Sequence, residues 1–129
     1  QASTVVILAG INDMAQNLGD TYSEDFTFSN ICSMTELARL HGIRPVICSV
    51  LPSYHFAWRP EIEDVQERVE SLNARLKAYC TRHGVTFVDY CPLLAGPDGR
   101  ILPEYSKDTV HPNAAGYEIM EKVLLDAIK

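Results

Sequence analysis

The segment TVVILA, residues 4–9, is a continuous run of β-branched and aliphatic side chains. Polar and apolar residues do not alternate in it, which is typical of a strand covered on both faces within a parallel sheet. Two later segments have the same character and predict two more buried strands, over residues 45–51 and 85–89. Together the three runs predict a sheet at the centre of the fold.

Helical spacing separates the predicted strands. Apolar residues recur at intervals of three and four over residues 27–41 and 61–83, and a last helix is predicted over 113–128. The stripe of the second helix suits either a coiled-coil seam or a face packed on a sheet. Its short length between two strands favours the sheet. The strand–helix alternation predicts an α/β fold with parallel strands and right-handed crossovers.

Composition bounds the class of protein. A chain of 129 residues is long enough for one domain with a hydrophobic core, but not for two. The net charge of -6 argues against nucleic acid or an anionic membrane surface as a partner. No apolar run is long enough to span a bilayer. The sequence does not indicate a compartment.

The cysteines show neither a C-x-x-C pair nor a zinc-binding spacing. They are Cys32, Cys48, Cys80 and Cys91. Free cysteine is among the most buried residue types, so we predict buried free thiols. No cofactor is expected.

Two short motifs carry chemistry. Gly10-Ile11-Asn12-Asp13 follows the first predicted strand, and Asp108-Thr109-Val110-His111 precedes the last predicted helix. A carboxylate that holds an imidazole is the base half of a nucleophilic hydrolase. Taken alone, the first motif suits a turn and the second a loop ion pair or a helix cap. Both follow strands, and the carboxyl ends of parallel strands share one edge of the sheet, where ligands bind.

Together the two motifs resemble the third and fifth sequence blocks of the SGNH hydrolases, the GDSL lipase/acylhydrolase family. Residues 72–79, 98–99 and 116–117 resemble bacterial acylhydrolases of this family as well. The resemblance implies a three-layer, flavodoxin-like α/β fold with a parallel sheet. Residues 1–129 would be the C-terminal part of a single SGNH domain, holding its last three strands and their helices.

The resemblance implies a role for each motif residue. Asn12 would donate its amide to the oxyanion of the tetrahedral intermediate, and Gly10 would allow a tight turn at the strand end. Asp13 would support Asn12 from behind. His111 would act as general base and then as general acid, with Asp108 orienting its ring.

An aromatic loop follows the second predicted strand and is a candidate substrate-binding segment. It contains Tyr54, His55, Phe56 and Trp58. These side chains suit the wall of an acyl or alcohol pocket, or merely a loop packed on the surface. The family acts on short-chain acyl esters, acetylated sugars, phospholipids and thioesters, so the resemblance implies a small-molecule ester but not which one.

The chain departs from the family because the Gly-Asp-Ser block that supplies the nucleophile is absent, as is the block with the second oxyanion donor. The available serines are Ser3, Ser23, Ser29, Ser33, Ser49, Ser53, Ser71 and Ser106. None follows a strand as Gly-Asp-Ser, and Ser49 falls inside a predicted strand. We therefore expect an ester hydrolase whose serine lies outside this chain.

Two other classes of function stay open. A non-catalytic ligand-binding module would keep the hydrolase shell without its chemistry. A metal site would use Asp13, Asp108 and His111, but the sequence offers too few clustered ligands for one.

The family's strand order, 2-1-3-4-5, gives the segment 4–9 a specific place. It would be the third strand and would pair with the absent first strand. Its edge carries no charge and no proline to discourage pairing. We expect this edge to be covered, either by an N-terminal segment of the same protein or by a second copy of the chain.

Overall fold

The computed structural model describes residues 3–19 and 21–129. Its strands are β1 (Thr4–Ile7), β2 (Arg44–Cys48) and β3 (Thr86–Val88). They form one parallel sheet in the order β1-β2-β3, in which Val6 pairs with Val46 and Val46 with Thr86. The predicted α/β fold with a parallel sheet is therefore confirmed.

The helices cover both faces of this sheet and give three layers. They are α1 (Ile11–Met14), α2 (Glu24–Leu40), α3 (Val65–His83), α4 (Cys91–Leu94) and α5 (Ala114–Ile128). One hydrophobic core lies between the sheet and helices α2 and α3, and the second lies between the sheet and α5. The sequence did not predict α1 and α4, because four residues are too few to display a helical period.

Helix α3 buries its stripe against the sheet, as the sequence favoured over a coiled-coil seam. Its buried residues are Val65, Val69, Leu72, Leu76 and Cys80. Cys80 completes the buried stripe, whereas its neighbour Tyr79 is only partly buried. The predicted helix start at residue 61 is wrong by four residues, and Ile62 packs in the core from the preceding turn.

The predicted strands also extend past the observed carboxyl ends of the strands. The strand predicted over 45–51 ends at Cys48, since the backbone of Val50 bonds to a side chain instead of to a neighbouring strand. Asn73 Oδ1 accepts from Val50 N at 2.7 Å, and Asn73 Nδ2 donates to Val50 O at 2.9 Å. Apolarity persists past the sheet because these residues still pack in the core, so composition alone could not mark the end.

Side-chain caps decide where two helices begin. The Ser23 hydroxyl accepts from Phe26 N at 3.2 Å, and α2 starts at Glu24, three residues before the predicted start. Asn113 Oδ1 accepts from Gly116 N at 2.9 Å, which caps α5 at the predicted position. Such caps satisfy backbone donors that have no partner inside the helix.

All four cysteines are free. Cys48 and Cys80 are buried as predicted, whereas Cys32 and Cys91 are only partly buried, so the prediction of burial is wrong for these two. Burial raises the pKa of Cys80 and of Cys91 to about 11, which keeps both thiols protonated at neutral pH. No helix in the described part of the chain is long and apolar enough to cross a membrane.

Candidate active site

The Asp108 carboxylate is hydrogen-bonded through both of its oxygens. Oδ2 lies 2.6 Å from Nδ1 of the His111 ring. Oδ1 accepts from the backbone N–H groups of Val110 and His111, at 2.9 and 2.7 Å. The imidazole is therefore held by its Nδ1, which leaves Nε2 available, and 72% of the His111 side chain is exposed.

These contacts set the charge of Asp108. Burial opposes ionisation of Asp108, but the hydrogen bonds from the His111 ring and from the N–H groups of His111 and Val110 outweigh it. The pKa of Asp108 is held well below its ordinary value. The carboxylate is thus ionised at neutral pH and can stabilise a neighbouring imidazolium.

The backbone between the two residues has a strained conformation. Thr109 has φ 67, a region that β-branched residues rarely occupy. Its hydroxyl donates to the carbonyl oxygen of His55 at 2.7 Å. The left-handed turn aims the next two N–H groups back at Asp108. The aromatic loop thereby helps to shape the loop that carries His111.

Gly10 and Asp13 fix the loop that follows β1. Gly10 has φ 122, and a Cβ there would lie 3.0 Å from the Cδ2 atom of Leu72. Asp13 Oδ2 accepts from the Thr27 hydroxyl at 2.9 Å, which ties the loop to α2. Asn12 lies between these two anchored residues, and its side chain is exposed.

Replacing Gly10 with Ala is expected to destabilise the protein, because the methyl group meets Leu72 and the backbone angle disfavours side chains. Strain of this kind costs about 1–3 kcal/mol. Denaturant unfolding of the two proteins measures it. The matched control is Gly42→Ala, at φ 69 with nothing within 4 Å of the added Cβ. An equal loss in the control would mean that the contact with Leu72 contributes nothing.

Trp58 lies beside both motifs. Its Nε1 donates to Asn17 Oδ1 at 3.0 Å, and Asn17 Nδ2 donates to Asn12 Oδ1 at 3.1 Å. The Trp58 ring also lies next to the His111 ring, with centroids 6.5 Å apart and planes at 34°. The fold therefore brings the two sequence motifs to one place at the carboxyl edge of the sheet, as their positions after strands predicted.

The other residues of the aromatic loop have different surroundings. The inclusion of Phe56 among substrate-binding residues is wrong, because it is fully buried in the core beneath Trp58. Tyr54 packs against the second core, with the Arg100 guanidinium 4.8 Å from its ring centroid. His55 is exposed. For Tyr54, His55 and Trp58, substrate binding stays a prediction.

Two cavities adjoin the motifs. A small apolar cavity of about 90 Å³ has Ala9 and Ile11 on one side and Val110 on the other, so it touches both loops. A larger cleft of about 630 Å³ adjoins Asn12, and its apolar wall includes Leu18 and Phe26. No sequence pattern pointed to this cleft or to Asn17, because both depend on contacts between loops.

Two of the three buried serines near the site are engaged in hydrogen bonds, whereas the buried hydroxyl of Ser53, which lines the small cavity, has no hydrogen-bond partner within the described residues. Ser49 is fully buried and accepts from Tyr90 N at 3.0 Å. Ser106 is also buried and donates to the carbonyl oxygen of His111 at 2.7 Å. Within residues 3–19 and 21–129, no group of three or more His, Cys, Asp or Glu side chains is placed to hold a metal ion.

The structure thus defines a three-layer α/β fold in which the loop after β1 and the loop carrying His111 meet at the carboxyl edge of the sheet. A sequence model of the GDSL-like Lipase/Acylhydrolase family matches residues 1–119. The chain belongs to this family, which confirms the resemblance drawn from its motifs. No curated protein matches the chain.

Solved structures agree with this assignment. A GDSL-like lipase of Bacteroides thetaiotaomicron is 46% identical, with a TM-score of 0.92, over 98% of this chain and 62% of that protein. A candidate acylhydrolase of Bacteroides fragilis is 44% identical, with a TM-score of 0.93, over 98% of this chain and 61% of that protein. The chain therefore spans about three fifths of the length of these relatives.

A more distant structure shares only the fold. It is a catalytic mutant of an acetylxylan esterase from Geobacillus stearothermophilus, 17% identical, with a TM-score of 0.71. The match covers 98% of this chain and 59% of that protein. The same architecture thus persists where most of the sequence differs.

Proposed function

We propose that this chain is the base-bearing part of a carboxylic ester hydrolase that uses Ser-His-Asp chemistry. The observation that carries the proposal is the His111 ring, held by an ionised Asp108 at 2.6 Å, with no hydrogen bond at Nε2 within the described part of the chain. An imidazole oriented in this way is suited to take a proton from a nucleophile. Family membership supports the same class of reaction.

The proposed mechanism gives each residue one task. His111 Nε2 accepts the proton of a serine hydroxyl while the serine oxygen bonds to the ester carbonyl carbon. Asn12 Nδ2 donates a hydrogen bond to the carbonyl oxygen as it gains negative charge. His111 then gives its proton to the departing alcohol. Water repeats the sequence on the acyl-enzyme, releasing the acid and restoring the serine.

The serine is proposed to come from a segment outside these 129 residues. None of the serines here stands in a nucleophile motif, and Ser49 and Ser106 are buried and engaged in other hydrogen bonds. Ser53 is buried as well, with 1% of the residue exposed. The chain also spans 62% of the length of a relative that is 46% identical. The substrate is a small-molecule ester, and the cleft beside Asn12 is proposed to receive its acyl or alcohol part.

Treatment of the complete protein with a fluorophosphonate probe is expected to label one serine outside this chain. The reason is that only a serine activated by His111 reacts quickly with such a probe. Peptide mass spectrometry of the labelled protein locates the modified residue. The same protein unfolded in denaturant serves as the control, since denaturation separates the serine from its base.

Two outcomes would oppose the proposal. A label on one of the serines of residues 1–129 would overturn the external nucleophile. The absence of any label, together with binding of an ester without turnover, would favour the non-catalytic ligand-binding module.

The free edge of β1 is proposed to pair with an N-terminal strand of the same protein. Ser3 O accepts from Arg44 N at 2.9 Å, so by alternation the backbone groups of Thr4 and Val6 face away from β2. The side chains of Val6 and Leu8 are 41% and 47% exposed. Unpaired edges and uncovered apolar side chains of this kind are normally covered.

We expect the amide hydrogens of Thr4 and Val6 to be protected from exchange in the complete protein. Hydrogen–deuterium exchange with residue-level resolution measures this, with the amides facing β2 as the protected reference. Protection that depends on protein concentration would indicate a second copy of the chain as the cover. Rapid exchange at both positions would show that the edge is open.

A further inference from the structure

Three side chains connect the aromatic loop to the loop after β1 in a single hydrogen-bonded series. Trp58 Nε1 lies 3.0 Å from Asn17 Oδ1, and Asn17 Nδ2 lies 3.1 Å from Asn12 Oδ1. The proposed function uses Asn12 and gives no task to the other two residues. Their arrangement decides which atom of Asn12 faces the reaction.

The series has only one possible direction. An indole N–H donates and cannot accept, so the atom of Asn17 that faces Trp58 must be its oxygen. The NH₂ group of Asn17 then faces Asn12, which must offer its own oxygen. The NH₂ group of Asn12 is left over, and within the described part of the chain it donates no hydrogen bond. An amide without such a neighbour presents either atom, because its two ends have nearly the same shape.

The origin of the series is fixed in place. The Trp58 ring packs at 5.2 Å on Phe56, which is fully buried. On the opposite side, the Arg68 guanidinium donates to the carbonyl oxygen of Met14 at 2.8 Å. The Arg59 guanidinium donates to the carbonyl oxygen of Gln16. Both ends of the connection therefore rest on anchored elements, although the side chains themselves are exposed.

We propose that Trp58 and Asn17 are positioning residues that orient the Asn12 amide so that its NH₂ group, and not its oxygen, faces the oxyanion. This inference rests on the proposed function of Asn12. Trp58 also flanks the His111 ring. One side chain thus helps to place both the oxyanion donor and the base.

The orientation has an unusual consequence for substitutions at Asn17. In Asn17→Asp, one carboxylate oxygen still accepts from Trp58, but the other now faces Asn12 and attracts its NH₂ group. The Asn12 amide turns over and presents its oxygen to the oxyanion. In Asn17→Ala, the Asn12 amide is free to choose and keeps its productive orientation part of the time. The isosteric change should therefore harm catalysis more than the truncation.

The test measures kcat and KM of the complete protein with p-nitrophenyl acetate. Removal of an oxyanion donor by Asn12→Ala is expected to lower kcat by about 10²–10³-fold. We expect Asn17→Asp to approach this loss, Asn17→Ala to lose clearly less, and KM to change little in either. In an Asn12→Ala background, Asn17→Asp should cause no further loss, since there is then no amide to orient.

A second readout does not depend on activity. The indole N–H resonance of Trp58, assigned by its disappearance in Trp58→Phe, should move in Asn17→Ala and stay in place in Asn12→Ala. An unmoved resonance in Asn17→Ala would show that the hydrogen bond is not made and would overturn the inference.

The kinetic outcomes separate this inference from the proposed function. A greater loss in Asn17→Ala than in Asn17→Asp would overturn the orienting role. A further loss from Asn17→Asp in the Asn12→Ala background would overturn it as well, since the carboxylate would then act by its charge. In both cases the role of Asn12 stands. Wild-type kcat in Asn12→Ala would instead remove Asn12 from the proposed mechanism.

Discussion

Replacing His111 with Ala in the complete protein is expected to abolish nearly all ester hydrolysis. The substitution removes the group that takes the serine proton and later returns it to the leaving alcohol. Loss of a triad histidine lowers kcat by about 10⁴–10⁶-fold. KM should change far less, since the ring is proposed to act on the nucleophile. The value of kcat and the rate of fluorophosphonate labelling should decrease together, because both depend on the same activated serine.

The matched control is His41→Ala. His41 lies at the exposed end of α2, where it caps the helix and has no place in the proposed site. It should leave kcat unchanged. Wild-type turnover by His111→Ala would remove His111 from the mechanism.

Replacing Asp108 with Asn is expected to lower kcat by roughly 10⁴-fold while leaving the fold intact. The new amide oxygen can still accept from the N–H groups of Val110 and His111. Its NH₂ group is then directed at the ring, so His111 Nδ1 must accept. The ring proton moves to Nε2, which can no longer take a proton from serine. Kinetics of this isosteric variant measure the combined effect of the wrong tautomer and of the lost carboxylate charge beside the ring.

Asp126→Asn is the control for this charge change, because Asp126 pairs with Lys129 on the surface of α5, away from the site.

The acid stability of the two variants gives an independent check. The pKa of Asp108 is lower in the folded than in the unfolded chain, so its charge stabilises the fold above the ordinary carboxyl pKa. That contribution is lost as the pH falls toward the folded value, and Asp108→Asn should lack it. A variant with normal kcat would contradict the role of Asp108.

The local pattern of apolar residues was enough to predict the α/β architecture. Uninterrupted apolar runs indicated buried parallel strands, and helical periods indicated the layers that cover them. The contact between Asp108 and His111 could also be predicted from the sequence. A spacing of three residues lets one turn join them, and the structure adds that Thr109 makes this turn in a left-handed conformation.

Other features depended on residues that are distant in the sequence. The apolar run of β2 continues to Leu51, but Asn73 on α3 takes the backbone of Val50 out of the sheet. Phe56 and Trp58 are both large aromatic residues in one loop, but Phe56 is fully buried and Trp58 is 45% exposed. A hydrophobic side chain favours burial wherever it stands in the sequence. Which of two neighbouring hydrophobic side chains is buried depends on how the other elements pack around them.

Whether a feature could be predicted from the sequence depends on how far apart in the chain its interacting residues lie. Strand and helix periods, caps and the Asp-x-x-His turn arise among residues a few positions apart, so the order of the amino acids is enough to specify them. The Trp58–Asn17–Asn12 series joins positions 41 residues apart through side-chain geometry. It exists because β1 and β2 are neighbours in the sheet and bring their following loops together. No local pattern encodes that proximity, and only the folded chain creates it.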